Sequence, residues 1–269
     1  MTIPAYRFAP SPNGELHLGH AYSALLNERL AEEAGGRFLI RIEDIDRLRC
    51  KPEFAAKALA DLAWLGLRWE TPVRFQSEHL ADYATQQKRL SDRGLLYPCF
   101  CSRKNLAVRS IGQPLDPEGQ PLYDGVCRTL PAGIVHRWIG DRRDHVIRID
   151  MAVAIAMAGN GPRLDPAPWG DVVLVRKDIG TSYHVAVVTD DALQGITHVV
   201  RGRDLAAATS IHQLLQKLLG LPTPDYHHHR LLTNDGNKKL AKSAGSKPLR
   251  AMREEGVTPA DIRRELGFA

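Results

Sequence analysis

The 269 residues, 43% apolar and 25% charged, have the composition of an ordinary folded chain, which excludes a peptide, a disordered tail and a membrane-embedded protein. A formal charge of +5, from 36 Lys plus Arg against 31 Asp plus Glu, tolerates a polyanionic partner without concentrating in a basic tail. The first residues hold no apolar run of signal-peptide length, nothing approaches the ~20 apolar residues of a bilayer span, and four cysteines are too few for a disulfide scaffold, so the expectation is a cytoplasmic protein that makes no use of a membrane.

Ala5 to Ala9 predicts a first strand, followed by the turn Pro10-Ser11-Pro12-Asn13-Gly14. Leu18, Ala21, Tyr22, Leu25 and Leu26 recur at i, i+3, i+4, i+7 and i+8, predicting an amphipathic helix that Gly35-Gly36 ends. Phe38 to Ile42 predicts a buried strand. Strand, helix, strand in this order opens a parallel α/β sheet, whose ligands bind at the carboxyl ends of its strands. Pro10 to His20 and Glu43 to Asp46 both fall there. Helices are predicted over Phe54 to Leu65 and Leu80 to Leu90. Cys99 to Pro168, rich in Gly, Pro, Arg and Asp with a strand-like piece at His145 to Ile149, has the character of an insertion. Strands are then predicted at Val172 to Val175, Val185 to Val188 and Ile196 to Val200, with the sheet resuming, before a helix from Leu205 to Leu219 capped by Gly220. Leu221 to Tyr226 reads as a proline-punctuated connection and Arg230-Leu231-Leu232 as strand-like. A lysine-rich loop and a short helical tail close the chain.

Two motifs carry chemistry. His17-Leu18-Gly19-His20 opens a helix directly after a strand and turn, where unsatisfied N–H groups, the positive end of the helix dipole and two imidazoles suit nucleotide phosphates. Gly19, without a side chain, lets a flat base lie on the backbone. Lys238-Lys239-Leu240-Ala241-Lys242-Ser243, between Gly236 and Gly245, places lysines where they can neutralise charge developing on a leaving pyrophosphate. Three cysteines, Cys99, Cys101 and Cys127, suit zinc, which favours sulfur and four tetrahedral ligands.

The pair of motifs, about 220 residues apart on an α/β background, resembles the signature sequences of class I aminoacyl-tRNA synthetases. Arg7 to Gly14, Arg41-Ile42-Glu43-Asp44-Ile45-Asp46, Tyr183-His184 and Gly195 to Gly202 resemble the glutamyl-tRNA synthetase branch. Only 26 residues follow Ser243, too few for a helical anticodon-binding domain, and the insertion carries Cys-x-Cys followed by Tyr-x-x-x-Cys. That combination resembles the glutamyl-Q tRNA(Asp) synthetases, which activate L-glutamate with ATP and attach it to queuosine in the anticodon of tRNA(Asp). The resemblance implies a Rossmann-like parallel sheet with an inserted zinc-containing subdomain, a short C-terminal helical and loop segment, and no anticodon-binding domain. Expected boundaries are 1–98 and 169–220 for the two halves of the catalytic domain, 99–168 for the insertion and 221–269 for the lysine loop and tail. A minimal glutamyl-tRNA synthetase and a non-catalytic RNA-binding module are the alternatives. All the motif residues that the second would have lost are present.

By the same resemblance, Arg7, Phe8, Ala9, Pro10, Ser11, Glu43, Tyr183 and Arg201 line the glutamate site, with Glu43 facing the ammonium; which arginine meets the side-chain carboxylate stays open. A guanidinium fork matches a carboxylate, so the residue types fit a dicarboxylic substrate. His17, Gly19, His20, Lys239, Lys242 and Ser243 are expected to bind ATP with Mg²⁺, and His17, His20 and Lys242 to stabilise the transition state. The lysine motif departs from the family's usual pattern at Ala241, where serine is common. Tyr123 is the implied fourth zinc ligand, with His136 or His145 the chemically commoner alternatives, and the zinc is expected to be structural. Glutamate activation without tRNA and a monomeric state complete the expectations. Cys50 reads as a lone thiol. His227-His228-His229 on a strand cannot all face one ion, Asp190-Asp191 reads as a cap, and Asp141 and Asp144 make Arg137 to Arg148 a mixed-charge surface.

Overall fold

The computed structural model describes residues 3–159, 164–232 and 247–268. In chain order the elements are β1 (Ala5–Phe8), α1 (Leu18–Glu33), β2 (Arg37–Ile42), α2 (Pro52–Trp64), β3 (Glu70–Phe75), α3 (Leu80–Asp92), β4 (Leu96–Cys99), α4 (Arg103–Arg109), α5 (Ala132–Gly140), β5 (Val146–Ile149), α6 (Met151–Ala158), β6 (Val173–Val175), α7 (Tyr183–Leu193), β7 (His198–Gly202), α8 (Thr209–Leu219), β8 (Asp225–His229), α9 (Leu249–Glu254) and α10 (Pro259–Leu266). They gather into two compact units, one of Met1–Glu78, Gln194–Ala206 and Pro224–Ala269, the other of His79–Leu193 and Ala207–Thr223.

The first unit is built on a five-stranded parallel sheet in the order β3-β2-β1-β7-β8. Strand alternation divides its apolar residues between two faces. Tyr6, Phe8, Ile40, Ile42 and Val200 pack with Leu25 and Leu26 of α1, Leu62 of α2, Leu249 of α9 and Ile262 and Leu266 of α10. Ala5, Leu39 and Val199 form a separate cluster with Ile196 on the other face. Helix α1 is also fixed to the sheet by polar contact, since Asn27 Nδ2 donates to the Val200 carbonyl at 3.0 Å. Helix α10 opens on a capping box between Thr258 and Asp261 and ends at left-handed Gly267.

The second unit holds a three-stranded antiparallel sheet, β4-β5-β6, and the helices α3 to α8. Tyr83 Oη donates to Asp190 Oδ2 at 2.9 Å, tying α3 to α7, and Trp169 Nε1 donates to Ser210 Oγ at 3.0 Å.

Five sequence expectations change here. Val185 to Val188 is not a strand but the middle of α7: the run is buried on all sides between α3 and α8, so it shows neither a helical nor a strand period. Asp190 and Asp191 are likewise inside α7 and buried, not capping a following helix. Val173–Val175 belongs to the antiparallel sheet rather than resuming the parallel one. The strand near the histidine run is Asp225–His229, not Arg230-Leu231-Leu232; pairing with β7 selects it, with Arg201 opposite His228 and Gly202 opposite His229. The predicted long helix begins only at Thr209, after a 3₁₀ turn at Arg203–Leu205, and ends as expected at left-handed Gly220. No helix among the described residues is long and apolar enough to cross a membrane.

Candidate active site

The order in which the chain adds strands to the parallel sheet reverses at β1, with β2 and β3 on one side and β7 and β8 on the other. Open α/β sheets gather ligands outside the carboxyl ends of their strands at such a point. Two residues beyond Ala5, Leu39 and Val199, and therefore on the same face, stand Arg7, Arg41 and Arg201 at the ends of β1, β2 and β7. Their exposures are 4%, 0% and 5%, so three guanidinium groups are held out of water on adjacent strands. Burying such charge is costly unless anionic or polar groups meet it. Glu43, 8% exposed, supplies one: its Oε1 lies 3.1 Å from Arg41 Nη2, and Arg41 Nη1 donates to Gln194 Oε1 at 3.1 Å.

The loops after β1 and β2 hold each other in place. The Glu43 N–H donates to the Pro10 carbonyl and the Lys51 N–H to the Pro12 carbonyl, both at 3.0 Å. Buried Cys50 contacts the Glu43 carbonyl through its thiol at 3.7 Å. Phe8 packs into the main core, so only its backbone belongs to the strand end that Arg7 occupies. Ser11 and Ala9 are half-buried and Pro10 is buried in the same loop.

His17 and His20 form the N-terminus of α1 by capping each other. His17 Nδ1 accepts from the Gly19 N–H at 3.1 Å, while His20 Nδ1 accepts from the His17 N–H at 3.2 Å. With both Nδ1 atoms accepting, each neutral ring carries its proton on Nε2, as a donor. The ring centroids are 3.9 Å apart. A Cβ at Gly19 would lie 2.9 Å from His17 Cε1, so glycine is needed here for the capping imidazole itself. The segment following the lysine motif is fastened to the same place: Pro248 forms an antiparallel bridge with His17, and the Leu249 N–H donates to the Leu16 carbonyl at 2.8 Å. Lys239, Lys242 and Ser243 lie outside the described residues.

Tyr183 is in the second unit, as the first residue of α7, with its ring edge-on to His212 at 5.5 Å. The same unit brings the three cysteines together. The sulfurs of Cys99, Cys101 and Cys127 all lie within 4.8 Å of one another, and no His, Asp or Glu among the described residues joins them, which sets His136 and His145 aside. Tyr123 does approach: its Oη is 3.8 Å from Cys101 Sγ and accepts from the Cys127 N–H at 2.9 Å. Burial pushes the Cys99 thiol up, but hydrogen bonding with Tyr123, the Cys101 backbone and Arg148 outweighs it and holds the group below its ordinary value. Cys101 is pushed up to about 12 by burial, by its contact with Cys127 and by the charge of Cys99. Sulfurs packed so closely cannot all ionise without a cation among them, and a divalent metal would supply it. The donor set fits a closed, sulfur-rich site.

His228 is held neutral, pushed down to about 4 by burial and by the neighbouring Arg201. The histidine run accordingly belongs to an edge strand beside the arginine face and forms no metal cluster among the described residues.

One residue of this site has no role in the sequence expectations. Arg41 sits within the quoted Arg41 to Asp46 motif and is the most buried of the three arginines. A charged residue inside the apolar run Phe38-Leu39-Ile40-Arg41-Ile42, two positions before an acid, is the signal that identifies it.

A model of the tRNA synthetases class I (E and Q), catalytic domain, matches residues 5–267. The glutamyl-Q tRNA(Asp) synthetase of Rhodobacter capsulatus is 47% identical, over 97% of this chain and 99% of that protein. The glutamyl-Q tRNA(Asp) synthetase of Symbiobacterium thermophilum is 41% identical, over 97% and 85%. Among solved structures, a glutamate tRNA ligase from Elizabethkingia meningosepticum in complex with its amino acid superposes with a TM-score of 0.78 at 26% identity, covering 96% of this chain; the chain spans 59% of that protein. The parallel sheet, the paired capping histidines and the clustered cysteines thus occur in a chain that belongs to the class I tRNA synthetases, a family of ligases, and within it to the glutamyl-Q tRNA(Asp) synthetases.

Proposed function

We propose that the chain activates L-glutamate with ATP to form glutamyl-adenylate and transfers the glutamyl group to the queuosine at the wobble position of tRNA(Asp). The observation that carries the reading is the arginine face of the parallel sheet, Arg7, Arg41 and Arg201 with Glu43, in a chain whose relatives are named for this activity. L-Glutamate brings two carboxylates and one ammonium. Arg7 and Arg201 are assigned to the carboxylates and Glu43 to the ammonium, with Arg41 fixing its position; Tyr183 is assigned to glutamate binding on the family resemblance alone. The backbone of Phe8 and the segment Ala9 to Ser11 complete the lining.

In the first step a substrate carboxylate oxygen attacks the α-phosphorus of ATP, the bond to the β-phosphate oxygen breaks, and pyrophosphate leaves. No protein nucleophile is needed, so catalysis is positioning and charge stabilisation. The Nε2–H groups of His17 and His20 face the phosphates from the start of α1, Gly19 receives the adenine, and Lys239, Lys242 and Ser243 meet the departing charge. Mg²⁺ bound to the phosphates would add positive charge to that leaving group. In the second step a hydroxyl of the queuosine cyclopentene diol, which mimics a ribose diol, attacks the glutamyl carbonyl. An ester bond forms, the hydroxyl loses its proton and AMP leaves.

Zinc is assigned to Cys99, Cys101 and Cys127 with Tyr123 as fourth ligand, in a structural role. A cytoplasmic location, where tRNA and ATP are available, goes with this reading. The reading is tested by ATP–pyrophosphate exchange: exchange that requires glutamate and is not supported by glutamine is expected, and exchange indifferent to glutamate would overturn it.

A further inference from the structure

Helix α5 ends in a turn that holds an arginine where glycine fits best. The Arg142 N–H donates to the Ile139 carbonyl at 2.9 Å and the Arg143 N–H to the Trp138 carbonyl at 3.0 Å, the two bonds of a Schellman cap. The residue that such a cap forces into the left-handed region is Arg142, with φ of 54°; every other positive-φ position among the described residues is a glycine. A side chain kept against backbone preference points to a task for that side chain.

Its neighbours present a consistent surface. The Arg143 guanidinium lies 4.1 Å over the Trp138 ring, and Phe100 braces that ring edge-on at 5.1 Å. Arg137, Arg142 and Arg143 are exposed and form no ion pair among the described residues. Elsewhere in the unit, Arg109 is bonded to Asp124, Arg128 to Asp171 and Arg176 to Asp178. Of the two acids that interrupt the basic run, Asp144 is engaged by Lys177, and Asp141 is the exposed C-cap residue of α5, leaving three arginines against one acid at the turn. The cap thus gathers three uncommitted guanidinium groups, one of them oriented by an aromatic ring. Guanidinium groups so placed match phosphate oxygens in bidentate fashion.

We propose that the C-terminal turn of α5 is a docking surface for the phosphate backbone of a folded RNA, with Arg137, Arg142 and Arg143 on phosphates and Trp138 orienting Arg143. The inference rests on the proposed function, in which the acceptor is a tRNA.

The test measures binding of labelled native tRNA(Asp) to the full chain across a salt series, for wild type, Arg142→Gly and the triple variant Arg137→Gln/Arg142→Gly/Arg143→Gln. Arg142→Gly relieves the left-handed strain, so its thermal midpoint is expected to equal or exceed wild type, and loss of binding is then separable from loss of fold. Each lost phosphate contact should weaken binding about fivefold at 0.15 M salt and reduce the slope of log K against log salt by ~0.7 to 0.9, so the triple variant loses roughly a hundredfold. Glutamate-dependent pyrophosphate exchange should be unchanged in both variants. Equal Kd and equal salt slope in wild type and triple variant would overturn the surface. Wild-type transfer of glutamate with unaltered binding in the variants would remove this surface and leave the proposed reaction standing. Arginine-dependent tRNA binding without any glutamate transfer would do the reverse.

Discussion

Pro248 stands in an antiparallel bridge with His17, the residue that caps α1, and the adjoining Leu249 N–H reaches the Leu16 carbonyl at 2.8 Å. The chain that emerges from the lysine motif is therefore anchored at the same helix terminus that presents the two histidines. With Lys242 assigned to the pyrophosphate leaving group, Lys242→Ala is expected to slow single-turnover adenylate formation by on the order of a hundredfold or more, the cost of one well-placed transition-state donor. Rapid-quench measurement of glutamyl-adenylate checks this, and a near wild-type rate would take Lys242 out of the mechanism.

Arg41 and Glu43 are a buried pair, and removing one partner takes away a close opposite charge that the other holds out of water. Arg41→Gln is expected to destabilise the fold by about 3 kcal/mol and, by removing one of the contacts that position the Glu43 carboxylate, to raise the KM for glutamate more than it lowers kcat. Urea unfolding together with steady-state exchange kinetics reads both. An unchanged KM would restrict Arg41 to a structural role.

The cysteine cluster predicts metal and stability together. Purified protein should carry about one zinc per chain, and Cys127→Ser should lose it and lower the thermal midpoint by roughly 5 to 10 °C. A metal-free preparation with the wild-type midpoint would contradict the assignment.

Asp61 of α2 is 3% exposed, and its Oδ2 has no hydrogen-bond partner. Burial pushes its carboxyl up to about 6, with Arg253 pulling the other way. Because the folded-state pKa is raised above the unfolded value, the neutral acid is favoured by the fold. Its contribution is fully present below about pH 4 and is lost as pH rises through about 6. Asp61→Asn should therefore exceed wild type in stability at pH 8, by about 2 kcal/mol, with the difference vanishing near pH 4. Denaturant midpoints at the two pH values decide it; a variant less stable than wild type at pH 8 would refute the sign.

Much of this architecture is legible in the residues because local signals agree with tertiary ones. The Leu18 to Leu26 stripe, the Gly35 and Gly220 stops and the apolar Phe38 to Ile42 run each encode one element, and the spacing of Cys99, Cys101 and Cys127 already proposes their meeting. Where burial is complete, the pattern goes silent. Val185 to Val188 looks like a strand because a helix enclosed by α3 and α8 needs no polar face. The strand Asp225–His229 carries no apolar alternation, since its formation is decided by the β7 edge it joins. Arg41 escapes attention for a related reason: its place beside Glu43 depends on strand parity and loop return, which only the folded chain supplies.

The central claim is that glutamate goes to the anticodon base and not to the tRNA terminus. Labelled glutamate, ATP and Mg²⁺ are offered to tRNA(Asp) with and without queuosine, in parallel with tRNA whose 3′ end was blocked by periodate before queuine insertion. Labelling that requires queuosine and survives the 3′ block is the predicted result. Labelling that ignores queuosine and disappears with the block would contradict the account and make the chain a minimal glutamyl-tRNA synthetase.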